Sequence, residues 1–312
     1  MKQPIIVLTV LLIALSLVPV RHAAAAEIDA STSLNLQAST LPELKLGVTQ
    51  RLILPFLTGP GPLTEDNRLE LALSAELSPI SLNGITELTW TPIAFAQIVT
   101  GARIGSGWNI KLFGGDLYGI GINRAVSGAD PSQTHTGSAF DGLIWKVQGG
   151  AALQFDLAAL YPGDWHHVIA RTYHELNYKG YSAAGAGESW YFENDDGENV
   201  NGFNYYGNLL IAYQMPVILN TVGILTEADL YLYDTPGRSQ WGDERIRWTF
   251  SALFNFTVTK KTSAALLVQC RTRFNYLEAD WRDRYYRNRR IDSSDPLHLE
   301  FYRAAVVMTV KL

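Results

Sequence analysis

The chain has 312 residues, a formal net charge of −5 and a charged fraction of 18%, which is below the average for globular proteins. Nothing in this balance indicates a nucleic-acid partner, and none is expected. The single cysteine, Cys270, excludes an internal disulfide scaffold.

The N-terminus has the pattern of a secretory signal peptide. Lys2 gives a positive start, residues 5–20 are apolar, and Ala24 and Ala26 occupy the small-residue positions of an A-x-A cleavage site. A membrane-anchoring helix is the alternative, but a spanning helix needs about 20 apolar residues. We therefore expect export and cleavage before Glu27.

The rest of the chain contains segments with strict two-residue alternation. Between residues 244 and 258, for example, the apolar Trp248 and Phe250 alternate with the polar Thr249 and Ser251. In a strand, such residues point to opposite faces. Soluble strands average about 5–6 residues, whereas a membrane-spanning strand needs about 9–11. These segments reach the longer value, so a membrane barrel is favoured over a soluble β-sandwich.

Twelve strands are predicted. The run 84–105 is divided in two because Pro92 cannot donate to a strand ladder, and an even strand number is expected. We expect a signal peptide at 1–26, a periplasmic N-terminal segment at 27–42 and a barrel at 43–312; about ten or fourteen strands are alternatives. The predicted strands are 43–56, 67–78, 85–91, 94–105, 109–123, 143–158, 166–179, 203–215, 221–234, 244–258, 263–277 and 298–312.

Connections of two lengths separate these strands. Short turns are predicted near 78–84, 161–165, 216–220 and 259–262, and long polar connections at 124–141, 180–202, 234–244 and 278–297. Outer-membrane barrels place the long connections outside the cell. An aromatic girdle is then expected near the outer strand ends, made of Tyr178, Tyr205, Trp248, Phe274, Tyr276 and Tyr302.

Across nearly all of the chain after the signal, these segments resemble bacterial outer-membrane β-barrel proteins as a class. The end of the chain, residues 306–312, looks like the terminal strand that the barrel assembly machinery recognises, although Leu312 stands where the class usually has Phe. The resemblance implies an all-β fold, a transmembrane antiparallel up-and-down barrel, with the lipid bilayer as a partner. It matches no characterised family, and a fold alone does not give a function.

Positive side chains collect on the polar faces of the last three strands. Such a wall attracts anions in a pore, and the arginine fork binds carboxylate and phosphate through two hydrogen bonds. An internal ion-pair network with the acidic partners Glu227 and Asp229 is the alternative. The predicted basic wall of the lumen consists of Arg245, Arg247, Arg271, Arg273, Arg303 and Lys311.

The turn around Lys260 fixes the register of the two strands that it joins. If the turn is centred on Lys260, Thr257 lies opposite Ser263, and Arg247 lies opposite Arg273. Two like charges directly opposite each other destabilise a sheet unless something offsets their repulsion.

Two function classes follow. One is a passive channel for small polar solutes, anions among them, and the other is a closed barrel with a structural or surface-adhesive role. A membrane lipid hydrolase is a distant third, suggested by His135 and Ser138 in one long connection. We therefore expect no enzyme activity and no cofactor.

Two polar connections have alternative interpretations. The acidic run 193–198 has oxygen ligands for Ca²⁺ but lacks the EF-hand spacing, so a solvated loop tip is favoured and no metal is expected. A cluster of arginines in the last long connection either contacts anionic lipopolysaccharide or pairs with Asp280, Asp283 and Asp292. This cluster consists of Arg282, Arg284, Arg287, Arg289 and Arg290.

Overall fold

The computed structural model describes residues 28–41, 43–112, 115–123, 135–193, 195, 197–232, 242, 244–277 and 290–312. No helix within these ranges is long and apolar enough to cross a membrane. The predicted signal peptide and Arg282, Arg284, Arg287 and Arg289 lie outside the described residues.

The described residues form eighteen strands and one short 3-10 turn at Leu157–Ala159. The strands are β1 (Asp29–Ser39), β2 (Glu43–Pro55), β3 (Arg68–Leu77), β4 (Ser81–Ile93), β5 (Ala96–Gly107), β6 (Ile110–Leu112), β7 (Gly115–Leu117), β8 (Ile120–Asn123), β9 (His135–Thr136), β10 (Ile144–Asp156), β11 (His167–Tyr181), β12 (Ser189–Phe192), β13 (Asn199–Val200), β14 (Gly202–Gln214), β15 (Leu219–Tyr231), β16 (Arg247–Thr257), β17 (Thr262–Phe274) and β18 (Leu297–Lys311).

Twelve of these strands form one closed antiparallel barrel. The order around the wall is β1-β18-β17-β16-β15-β14-β11-β10-β5-β4-β3-β2, so each barrel strand pairs with its neighbours along the chain and β1 closes the ring against β18. The barrel strands are 10 to 15 residues long, which is enough to span a bilayer when tilted. The predicted fold class and the strand number are confirmed.

One barrel strand lies where the sequence predicts the periplasmic segment 27–42. Residues 29–39 of that segment are β1, a full member of the wall, with Leu34 opposite both Val310 and Val48. The periplasmic assignment of these residues is therefore wrong. The alternation of Leu34 and Leu36 with polar neighbours is present in the sequence, but it is short and lacks aromatic residues.

The predicted strand 109–123 is not part of the barrel wall. The chain leaves the wall after β5 and folds back on itself as the small strands β6, β7 and β8. Gly119 permits this reversal, because a Cβ at that position would collide with the backbone oxygens of Trp108 and Ile80. β8 then joins a four-stranded sheet with β9, β12 and β13.

The connections define two ends of the barrel, here called the mouth and the base. The strand ends that are joined by the long connections 108–143, 182–201, 232–246 and 275–296 lie at the mouth, and β18 ends at the base. The turn at 78–80 also lies at the mouth, contrary to the prediction of a base turn. The reason is that removing 109–123 from the wall reverses the direction of every earlier strand.

The outer face of the wall is apolar and exposed. Val147, Ile211, Ile224 and Phe301 are 53%, 53%, 64% and 60% exposed, respectively. A continuous apolar outer band is the surface that a barrel presents to lipid.

The aromatic residues expected at the outer mouth end divide into two groups. Tyr178 lies on the outer face, where its ring stacks on Trp145 and contacts Phe203 edge-on, both at 5.0 Å between centroids. Phe274, by contrast, is only 6% exposed, and the ring of Tyr302 lies 4.2 Å from the Arg271 guanidinium on the lumen side. The girdle assignment is wrong for these two residues.

A register shift explains why the ring of Tyr302 lies on the lumen side. The β17–β18 ladder is irregular next to Gln269, which pairs with Arg303, while Cys270 pairs with Phe301. The extra residue, Tyr302, is a bulge. Phe301 instead of Tyr302 therefore faces outwards. Of the other predicted girdle residues, Tyr205 and Trp248 lie on outward positions of β14 and β16, and Tyr276 bridges Ile291 beyond β17.

Candidate functional site: the mouth cavity and its lid

A cavity of about 410 Å³ lies inside the mouth of the barrel. Its floor and sides come from the barrel wall, and its roof comes from a segment that we call the lid: β12, β13 and the described residues between them. Its charged lining residues are Glu43, Lys45, Arg103, Lys146, Lys179, Glu193, Asp195 and Arg303, with Trp190, Phe192 and Tyr302 as aromatic neighbours.

Three cations lie side by side at one level of the cavity wall. Arg103 of β5 is opposite Lys146 of β10, which is opposite Lys179 of β11. Like charges in adjacent strands repel each other, and nearby acceptors offset this repulsion. Lys146 Nζ lies 2.7 Å from Glu175 Oε1, and Lys179 Nζ donates to Asn199 Oδ1 of the lid at 2.8 Å.

This row of cations is not part of the basic wall that the sequence predicts. All three residues occupy inward positions of their strands, so the signal was present in the alternation. Arg103, Lys146 and Lys179 lie on β5, β10 and β11, outside the last three strands to which the predicted basic wall belongs.

Glu193 of the lid is bound by four donors of the opposite wall. Its Oε1 accepts hydrogen bonds from Ser81 Oγ at 2.7 Å, Asn83 Nδ2 at 2.8 Å and Arg103 Nη2 at 3.2 Å. Its Oε2 accepts from Lys45 Nζ at 2.8 Å. Charge-assisted bonds of this kind are about twice as strong as neutral ones, so the wall holds the lid firmly at this point.

The Glu193 carboxylate is stabilised in its charged form. Burial alone would raise the pKa, but the charges of Arg103 and Lys45 and the hydrogen bonds from Lys45 and Ser81 lower it to about 2. The backbone at Glu193 has φ of +55°, a left-handed conformation that is uncommon for a residue with a side chain. Such strain persists only where surrounding contacts impose it.

A second anchor holds the lid on the other side of the lumen. Glu198 Oε2 lies 3.2 Å from Arg247 Nη2 of β16, and the Arg247 guanidinium lies 4.3 Å from the centre of the Tyr231 ring. In the twelve-stranded ring, β16 lies diametrically opposite β4, the strand that carries Ser81 and Asn83. The lid therefore crosses the lumen and is fixed at both ends.

Two described members of the acidic run, Glu193 and Glu198, thus do not fit the expected solvated loop tip, whereas Asp195 is exposed. The side chains of Glu193 and Glu198 are only 15% and 17% exposed, because each is buried against a cation of the wall.

Four residues of the predicted basic wall lie near the mouth, and each has an acidic partner. Arg271 and Arg273 share Glu300, at 2.9 Å and 3.5 Å. Arg303 pairs with Glu43, and Arg247 pairs with Glu198. Arg245 precedes β16, and Lys311 is exposed at the base, so these two do not join the cluster.

The two predicted acidic partners, Glu227 and Asp229, lie in different surroundings. Glu227 accepts a hydrogen bond from the Tyr206 hydroxyl at 2.7 Å, and Asp229 lies opposite Arg247 in the ladder. The structure therefore brings Asp229 beside Arg247, while Glu227 belongs to a separate group with Tyr206 and Asn208.

The register around Lys260 is confirmed, because Thr257 lies opposite Ser263. The predicted like-charge pair of Arg247 and Arg273 does not form. The β16–β17 ladder ends at Thr249 and Arg271, and each arginine turns to its own carboxylate.

No protein-family model matches the sequence, and no curated protein matches it. Among solved structures, the chain is similar to CdiB from Acinetobacter baumannii, with 8% identity and a TM-score of 0.37 over 93% of this chain and 61% of CdiB. It is similar to OprB of Pseudomonas putida, with 9% identity and a TM-score of 0.35 over 91% and 94% of the two chains. It is also similar to OmpT, an outer membrane protein of Vibrio cholerae, with 5% identity and a TM-score of 0.33 over 95% and 100%. At these scores we base no argument on the similarity, and the barrel assignment follows from the strand pairing of this chain.

Proposed function

We propose that the protein is an outer-membrane channel for small polar solutes that prefers anions, exported by its N-terminal signal peptide. The observation that carries the proposal is the charge of the mouth cavity. Among the described residues that line it, five are cationic and three are acidic: Lys45, Arg103, Lys146, Lys179 and Arg303 against Glu43, Glu193 and Asp195.

The excess of cations supports anion preference by simple electrostatics. A concave site lined by one sign of charge, with low-dielectric walls, concentrates counter-ions, and rings of Arg and Lys select anions in pores. The row of Arg103, Lys146 and Lys179 places three cations at one level of the wall. An entering anion competes there with the present acceptors Glu193, Glu175 and Asn199.

A closed barrel with a structural or surface-adhesive role is the second candidate. Two features favour it: the lid crosses the mouth, and inward positions further down carry Leu210, Leu225, Leu253 and Leu267. An apolar constriction opposes the passage of hydrated ions. In neither candidate is the protein an enzyme; the partners are lipid, the assembly machinery and, for the exposed mouth, lipopolysaccharide.

Recordings of the purified protein in planar bilayers test the proposal. Under a KCl gradient, we expect discrete conductance steps and a reversal potential on the anion side. Lys179→Gln is expected to weaken the anion preference, while Lys311→Gln at the base, which removes the same charge, is expected to change it little. Folded protein that gives no conductance would overturn the channel and favour the closed barrel.

A further inference from the structure

We propose that Lys45, Ser81, Asn83 and Arg103 form a carboxylate-binding site in the channel wall, and that Glu193 of the lid occupies this site as a built-in competitor. A solute that carries a carboxylate displaces Glu193 and thereby frees the part of the lid around Glu193, while Glu198 stays bound to Arg247. This inference rests on the proposed channel function and names both its solute class and its gate.

The four wall residues form a site that needs an anion. Ser81 and Asn83 are 0% and 1% exposed, and the Nε of Arg103 donates to Asn83 Oδ1 at 3.1 Å, which turns the Asn83 amide towards Glu193. If the lid left and nothing replaced it, the buried donors would lose the Glu193 acceptor, Arg103 would lose the carboxylate that it binds, and Lys45 would keep Glu43 alone. Both losses are costly in a protein interior.

The geometry points to a carboxylate as the replacing group. Three donors converge on one oxygen of Glu193 and one donor on the other, so the site serves both oxygens of a carboxylate. One of its two cations is already shared, because Lys45 Nζ lies 3.1 Å from Glu43. The group that occupies the site in the structure is itself a carboxylate, which is why we choose this class over a dianionic phosphate.

Glu193 can be displaced because its backbone is strained when its carboxylate is bound to the wall. Glu193 binds the wall with a left-handed backbone, φ +55°, and this conformation is unfavourable for a residue with a side chain. A free carboxylic acid binds the same donors without this backbone strain. The neighbouring cavity of about 410 Å³ is within the size range of small-molecule sites, so a small carboxylic acid has room beside the seated lid before exchange takes place.

Single-channel recordings in sodium acetate and sodium chloride of equal ionic strength test this gate. For the wild type, we expect a higher open probability in acetate than in chloride. Glu193→Gln is expected to raise the open probability in chloride about tenfold or more, since it removes a charged acceptor, and to abolish the response to acetate. Glu188→Gln makes the same charge change in the same connection and is expected to behave as the wild type.

Hydrogen exchange of the lid separates this inference from the channel function. Acetate is expected to speed amide exchange in 189–200 of the wild type but not of Glu193→Gln. A protein that shows this response without conductance would contradict only the channel. A protein that conducts equally in both salts, with Glu193→Gln like the wild type, would overturn the gate. Opening by inorganic phosphate as strong as that by acetate would overturn the choice of carboxylate.

Discussion

Glu193 holds a negative charge in a place where burial alone would favour its protonated form. The outcome is decided by two cations from different strands, Lys45 and Arg103, and by the neutral donors Ser81 and Asn83. No local pattern in the sequence shows this arrangement, because the contacts join residues 90 to 148 positions apart. The acidic run was visible in the sequence, but its partners were not.

The low pKa of Glu193 predicts a lid that acid weakens below pH 4.5. A carboxyl group whose pKa is lower when bound contributes stability that is present above its ordinary value of 4.5 and is lost as the pH falls towards about 2. Lid protection, measured by hydrogen exchange and corrected for the intrinsic exchange rate, is expected to be constant above pH 4.5 and to fall steadily between pH 4.5 and about 2. Protection that does not change over this range would show that the wall does not favour the charged form.

Substitutions of Arg247 and Arg273 are expected to differ in their effect on lid opening, although both residues belong to the predicted basic wall. Arg247→Gln removes the second lid anchor, and the loss of one charged hydrogen bond is expected to favour local lid opening by about 1.5–3 kcal/mol. Arg273→Gln leaves Glu300 bound to Arg271 and serves as the matched control. The readout is amide exchange at residues 197–200, and equal effects of the two variants would contradict the anchor.

The barrel strands themselves follow from their alternation. β14 to β17 lie where the sequence predicts them, because each has apolar residues at nearly every second position and a clear turn at the base. Errors occurred where this rule fails locally: at the bulge of Tyr302, in the glycine-dependent reversal at Gly119, and in β1, whose alternation uses short side chains. A bulge inserts a residue without changing composition, so periodicity alone cannot locate it.

The two faces of β14 give a direct test of this alternation. Leu209 is 47% exposed on the outer face, whereas its neighbour Asn208 faces the lumen opposite Glu227. A cation facing lipid near the midplane costs about 2–4 kcal/mol, so Leu209→Arg is expected to impair folding. Asn208→Arg places its charge beside a carboxylate and is expected to fold. Heat-modifiable migration on gels reports both, and equal tolerance would refute the assigned faces.

At the scale of the whole molecule, closure of the barrel depends on β1, the first strand after the predicted signal peptide. β1 pairs with both β2 and β18, so deletion of residues 29–39 would leave two unpaired edges, which are unstable in lipid. We expect this deletion to abolish heat-modifiable migration. Deletion of the lid residues 189–200 is expected to preserve it, since these residues lie outside the wall.

The processing prediction also concerns the whole chain. Protein extracted from outer membranes is expected to begin at Glu27, two residues before β1. N-terminal sequencing of that fraction checks the cleavage position. An intact N-terminus, or recovery of the protein in the soluble periplasmic fraction, would contradict the proposed export route.

The lid also imposes an order of events during assembly. Its docking residues lie on β2, β4 and β5, whereas its second anchor lies on β16, so the final site exists only after both halves of the wall stand in place. A newly inserted barrel should therefore pass through an unobstructed intermediate, and in pulse labelling the amides of β12 and β13 should become protected after those of the wall.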